Sequence, residues 1–197
     1  MASCENQRRR PRRFVGAASL LLSFLAALSL AQAASAAGGR YRLVGGTGFE
    51  REQVRRALNA SAFNWSLVPA EITIHLAARG VAGGQAVTGQ IWLDPRLLDS
   101  GRFAWALVQH EYAHQVDFFL LNDAERTQLA GKLGGLSWWQ SGSSSHNQLS
   151  SERFASTLAW SYWQSKANCL RPASSQDESA ALPPMKFRAL LAQTLGL

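Results

Sequence analysis

Hydrophobic positions along the chain change period partway, and the change divides it into a strand-rich first part and a helical second part. Residues 41–44 alternate apolar and polar before Gly45-Gly46, which predicts a first strand. Over 49–58, Phe49, Val54, Ala57 and Leu58 recur among Glu and Arg at a helical period. Residues 71–77 return to alternation, with Ile72, Ile74 and Leu76 on one face and His75 on the other. A turn is expected at 80–84, then one strand over 86–93 built from Val87, Ile91 and Trp92. Asp94-Pro95 stops that strand and opens a helical turn, Asp as cap and Pro at the first position.

After this point the pattern is helical. Ser100 is positioned to cap a helix over 101–121, and Asn122 or Asp123 opens another that ends at Gly134-Gly135. Residues 142–147 read as a Ser-rich loop, and Ser150 or Ser151 as the cap of a helix running to about 166. Residues 171–184 combine Pro, Ser and acidic residues as a loop, and 185–195 form a last amphipathic helix. A small mixed sheet followed by helices is the α+β class.

The first 36 residues follow a different logic. Arg8, Arg9, Arg10, Arg12 and Arg13 precede an uncharged run from Phe14 to Gly39, rich in Leu and Ala, with Ala34-Ser35-Ala36 at its end. Basic cluster, apolar stretch and small-residue exit are the pattern of a secretory signal. The alternative is an uncleaved membrane anchor, the only membrane contact the sequence suggests. In either case residues 37–197 form the working domain, outside the cytoplasm. The Arg- and Ala-rich leader fits a bacterial source.

Locating the charge changes its meaning. The chain carries a formal +7, but residues 1–36 hold five Arg and one Glu, so the remaining 15 basic and 12 acidic residues leave a net +3. No basic stripe interrupts that balance, which argues against a nucleic-acid partner. A content of 47% hydrophobic and 10% aromatic residues excludes a disordered chain. With Cys4 in the leader, Cys169 has no internal partner and reads as a small core hydrophobe.

The chemistry concentrates at His110-Glu111-Tyr112-Ala113-His114. Two His at i and i+4 differ by about 40° around a helix, so both imidazoles leave one face and can share a metal. Glu111 projects about 100° away, within reach of a water activated there and outside the ligand position. This is the H-E-x-x-H zinc pattern, with Glu as general base. Phe103, Leu107, Val108, Val116, Phe118 and Phe119 surround it, so the helix is expected to be buried, where unpaired polar groups are costly and a metal would satisfy several at once.

A catalytic zinc needs a third protein ligand. A metzincin would have Gly at 117 and His at 120, but Asp117 and Leu120 stand there. Glu152 is the favoured candidate, in Glu152-Arg153-Phe154-Ala155 on a later predicted helix whose small Ala155 permits close approach, and His146 is the competing one. With these residues in hand the chain resembles the gluzincin metallopeptidases, in which a downstream helix supplies a Glu ligand in a Glu-x-x-Ala or Glu-x-x-x-Asp setting. The resemblance spans the two helices. It implies a zincin-like fold, a Zn²⁺ cofactor, a peptide or protein substrate, and a cleft-side edge strand, for which the predicted strand through Gly89-Gln90-Ile91 is the candidate. Ser156 stands where the thermolysin-like branch has Asp, so Asp117 is the alternative second partner for His110. Donors to the developing oxyanion are sought among His146, Tyr162 and Arg153. Trp138, Trp139, Trp160 and Trp163 flank the site, as core or as cleft wall. The reading is therefore a secreted zinc metallopeptidase. Its rival is a non-catalytic cell-envelope binding protein on the same scaffold, against which the intact Glu111 argues.

Overall fold

The structure, a computed structural model, describes residues 38–77, 83–139 and 145–197. The N-terminal segment 1–36 lies outside the described residues, as do parts of the turn expected at 80–84 and of the loop expected at 142–147. Among the described residues no helix is long and apolar enough to cross a membrane.

The α+β expectation holds. Four strands, β1 (Tyr41–Gly45), β2 (Ile72–Leu76), β3 (Gly84–Val87) and β4 (Gln90–Leu93), form one sheet in the order β1-β2-β4-β3. β1 and β4 run parallel to β2, and β3 runs antiparallel to β4. Among the described residues six α-helices accompany the sheet: α1 (Gly48–Ala60), α2 (Pro95–Leu98), α3 (Trp105–Leu120), α4 (Asp123–Leu133), α5 (Ser150–Tyr162) and α6 (Pro184–Leu195). The period-2 pattern of β2 works as read. Ile72, Ile74 and Leu76 are buried, while His75 faces outward, stacks on Trp92 and pairs with Gln90.

α3 is the hub. It packs on α1, α5 and β3, and Val108, Tyr112, Ala113 and Val116 join Val54 and Leu58 of α1 and Phe154 and Leu158 of α5 in one core. Local chemistry fixes the helix starts. Thr47 and Glu50 close a capping box on α1, Asn122 and Glu125 close another on α4, and Asp94 caps α2 ahead of Pro95.

Four expectations are corrected. The single strand over 86–93 is a hairpin, because Thr88-Gly89, with Gly89 at φ +77°, turns the chain between Val87 and Gln90. Thr is a good strand former, so the turn was hidden in an apolar run. Secondly, the helix expected from 101 begins as a 3₁₀ turn, Gly101–Ala104, and Ser100 does not cap it, since its hydroxyl donates to Leu97 O instead. Thirdly, neither Ser150 nor Ser151 caps α5. Their backbone N–H groups donate to Ser137 O (2.8 Å) and Trp138 O (3.2 Å), so an extended stretch of chain does the work of a side-chain cap. α5 also ends at Tyr162, where the Asn168 amide takes the Trp163 carbonyl at 2.8 Å and Trp163 turns inward against Trp105.

Candidate metal centre

α3 is buried nearly all round, yet half of its central turns are polar. Gln109, His110, Glu111, His114, Gln115 and Asp117 are all buried. Buried polar groups need partners, and most of these have one in the surrounding fold. Gln109 Nε2 donates to Ala57 O. Gln115 grips the hairpin: its Oε1 accepts from Gly89 N (2.8 Å), and its Nε2 donates to Val87 O (2.9 Å) and Gln90 O (3.3 Å). Asp117 accepts from Arg126 Nε (2.8 Å) and Trp138 Nε1 (3.0 Å).

His110 and His114 instead converge on each other and on Glu152, which the first turn of α5 carries across the core. His110 Nε2 lies 3.1 Å from Glu152 Oε2, His114 Nε2 lies 3.4 Å from the same oxygen, and the two Nε2 atoms are 3.2 Å apart. A neutral imidazole nitrogen without its proton and a carboxylate oxygen are both acceptors. Three such atoms can share so small a space only around protons or a cation. The buried His110, His114 and Glu152 group could thus bind a metal ion, and two imidazoles with one carboxylate is a donor set that suits zinc. Burial alone would raise the Glu152 carboxyl, but hydrogen bonds from His110, His114 and His146 outweigh it and hold the group well below the usual carboxylate range. Burial would lower His114, and its bond to Glu152 reverses that and raises it.

Glu111 sits beside this group, pushed up by burial and pulled back by the charges of His110 and His114. It fits because β3 begins with glycine. A Cβ at Gly84 would fall 2.5 Å from Glu111 Oε1 and 2.6 Å from its Cδ.

The residues around the group divide clearly. His146, 66% exposed, reaches in from the rim, with Nε2 3.1 Å from Glu152 Oε2 and Nδ1 2.9 Å from Glu178 Oε1. The two carboxylates push its imidazole up to about 10. Ser156 Oγ, not Asp117, meets His110 Nδ1, at 3.1 Å, and donates to Glu178 Oε2 at 2.9 Å. Asp117, two turns along the helix from His110, is committed to Arg126 and Trp138. Tyr162 packs on Phe63 and under Arg188, away from the group, and Arg153 donates to Leu133 O at the end of α4. Cys169 is half-buried with its thiol pushed up by burial.

A cleft of ≈ 470 Å³ opens over the group, walled by Gly84 and Ala86 on one side and by Phe118 and Trp139 on the other. The edge strand beside it is β3; the stretch through Gln90 and Ile91 named from the sequence is β4, an interior strand. Of the four tryptophans, Trp139 alone lines the cleft, stacked on Phe118 at 5.6 Å and 44% exposed, while Trp138 and Trp163 pack inside. Sequence reasoning missed Gly84, Gln115, Phe118 as a cleft wall, and Glu178. For Gln115 a signal existed, a polar residue on the apolar side of the helix. Glu178 lies in an aperiodic stretch that gave none. Comparison of the chain with protein-family models, with curated proteins and with solved structures gives no match, so its reading rests on the geometry of this site.

Proposed function

We propose that the chain is a secreted, zinc-dependent metallopeptidase of gluzincin type, with zinc held by His110, His114 and Glu152. The observation that carries the reading is the convergence of two Nε2 atoms and one carboxylate oxygen within 3.1–3.4 Å, under an open cleft and beside a buried glutamate. Zinc bound there would polarise a scissile carbonyl and bring the pKa of a water towards ~7.

The rest is work for the chain's own groups. Glu111 accepts the proton of the attacking water and returns it to the leaving amine. Its place in the lining of the cleft, packed against Gly84, supports this role. β3, the edge strand of the sheet among the described residues, offers N–H and C=O groups along which an extended peptide can lie. His146 stands at the rim, where the Glu152 and Glu178 carboxylates push its imidazole up, and positive charge there would favour the oxyanion of the transition state.

The test is metal content followed by turnover. Wild type is expected to purify with about one zinc per chain, the ratio of a mononuclear site, and Glu152→Ala to lose it. Glu111→Gln should keep the metal and lose cleavage of a peptide library. A wild-type protein that takes up no zinc even when dialysed against it would overturn the reading. Zinc uptake without cleavage of any peptide would favour the non-catalytic binding scaffold.

A further inference from the structure

We infer that Glu178 is a positioning residue of the metal centre, its one carboxylate setting the direction of the hydrogen bonds on both His110 and His146. The inference rests on the metal-centre reading and deepens it.

Glu178 arrives from a short 3₁₀ turn, Glu178–Ala180, packed against α5, and its backbone is pinned there by Thr157 Oγ1, which donates to Glu178 O at 3.2 Å. The two carboxylate oxygens face different partners. Oε2 accepts from Ser156 Oγ at 2.9 Å and Oε1 faces His146 Nδ1 at 2.9 Å. Burial would raise this carboxyl, but the bonds from His146 and Ser156 win and keep it ionised.

An ionised carboxylate only accepts. Ser156 must therefore spend its single proton on Glu178, and its oxygen can then only accept from His110 Nδ1, 3.1 Å away. His110 is thereby fixed with its proton on Nδ1, which leaves the Nε2 lone pair facing His114 and Glu152. That is the form a metal requires, and a serine alone does not impose it, because a hydroxyl with no fixed acceptor can donate to Nδ1 and drive the proton to Nε2. The other oxygen holds His146 by the same rule, with Nδ1–H donating outward and Nε2 turned towards Glu152. The relay thus spans from the C-terminal segment to the centre of α3.

Glu178→Gln keeps the shape but can accept at only one of its two ends; its amide nitrogen must donate at the other. The experiment uses the full chain with zinc alone as probe. Zinc affinity is measured by chelator competition, and the His110 Nδ1–H is followed as a hydrogen-bonded imidazole proton in nitrogen-15 NMR. We expect Glu178→Gln and Ser156→Ala each to weaken zinc binding by roughly 10-fold or more, the effect of losing a partner behind a ligating histidine. In both variants the His110 Nδ1–H signal should be lost or displaced, and Glu178→Asp should restore part of each. Loss of packing alone would not move the imidazole proton, and thermal unfolding of the metal-free variants reads that effect separately. Wild-type zinc affinity in Glu178→Gln, with an unchanged Nδ1–H signal, would overturn the inference. If wild type binds no zinc, the metal reading has failed, and the relay is still decided by the Nδ1–H signal of the metal-free proteins.

Discussion

Gly84 and Glu111 show how closely a backbone can be fitted to one side chain. Gly84 has an ordinary backbone conformation, so its lack of a side chain matters for space rather than for φ. Gly84→Ala would drive a methyl to within 2.5 Å of Glu111 Oε1. The expected result is a fall of about 10²-fold in kcat/KM with zinc content unchanged, read by steady-state kinetics beside elemental analysis. At this scale much of the centre was legible. His110, Glu111 and His114 follow from helical spacing, and Glu152 from an acid among inward-facing residues. The partners of His110 were not legible. Ser156 and Glu178 meet only because the turn at 178 folds back onto α5, and Asp117, attractive by spacing from His110, is already taken by Arg126 and Trp138.

At the scale of elements, the cleft depends on how the β3–β4 hairpin is held against α3. The hairpin turn is only two residues, and the Gln115 side chain engages both strands and the turn. Gln115→Leu preserves the approximate volume and removes all three bonds. It should destabilise the fold by about 1–3 kcal/mol, the cost of part-buried backbone groups left unpaired, raise KM more than it lowers kcat, and speed amide exchange at Gly89. Equal KM in variant and wild type, with unchanged exchange, would sever the hairpin from substrate binding. Most element limits were readable because periodicity and capping residues agree along this chain. The exceptions differ in cause: the hairpin turns at Thr88-Gly89 inside a strand-like run, Ser100 spends its hydroxyl on Leu97 O, and the start of α5 is set by backbone groups distant in sequence, which no local pattern reports.

For the molecule as a whole, the ligands come from two helices joined by a long stretch of chain, so metal binding and folding are linked. A group that binds only the folded chain stabilises it by about 2.7 kcal/mol when its free concentration is a hundred times Kd. Zinc should therefore raise the unfolding temperature of wild type and leave that of Glu152→Ala unmoved, as calorimetry would show. The fold class was legible from the order of periods. That β4 is interior and β3 the edge strand among the described residues was not, because strand order is a property of the assembled sheet.

The backbone bonds that start α5 carry a last consequence. Leu136 N meets Gln148 O, and Ser150 N and Ser151 N meet Ser137 O and Trp138 O. These rungs clamp residues 136–138 to 148–151, directly ahead of the turn of α5 that carries Glu152. Gly135, where a Cβ would strike Ser150 Oγ at 2.6 Å, keeps the clamp tight. Glu152, the residue after the last rung, thus takes its place from a backbone ladder rather than from a cap on its own helix.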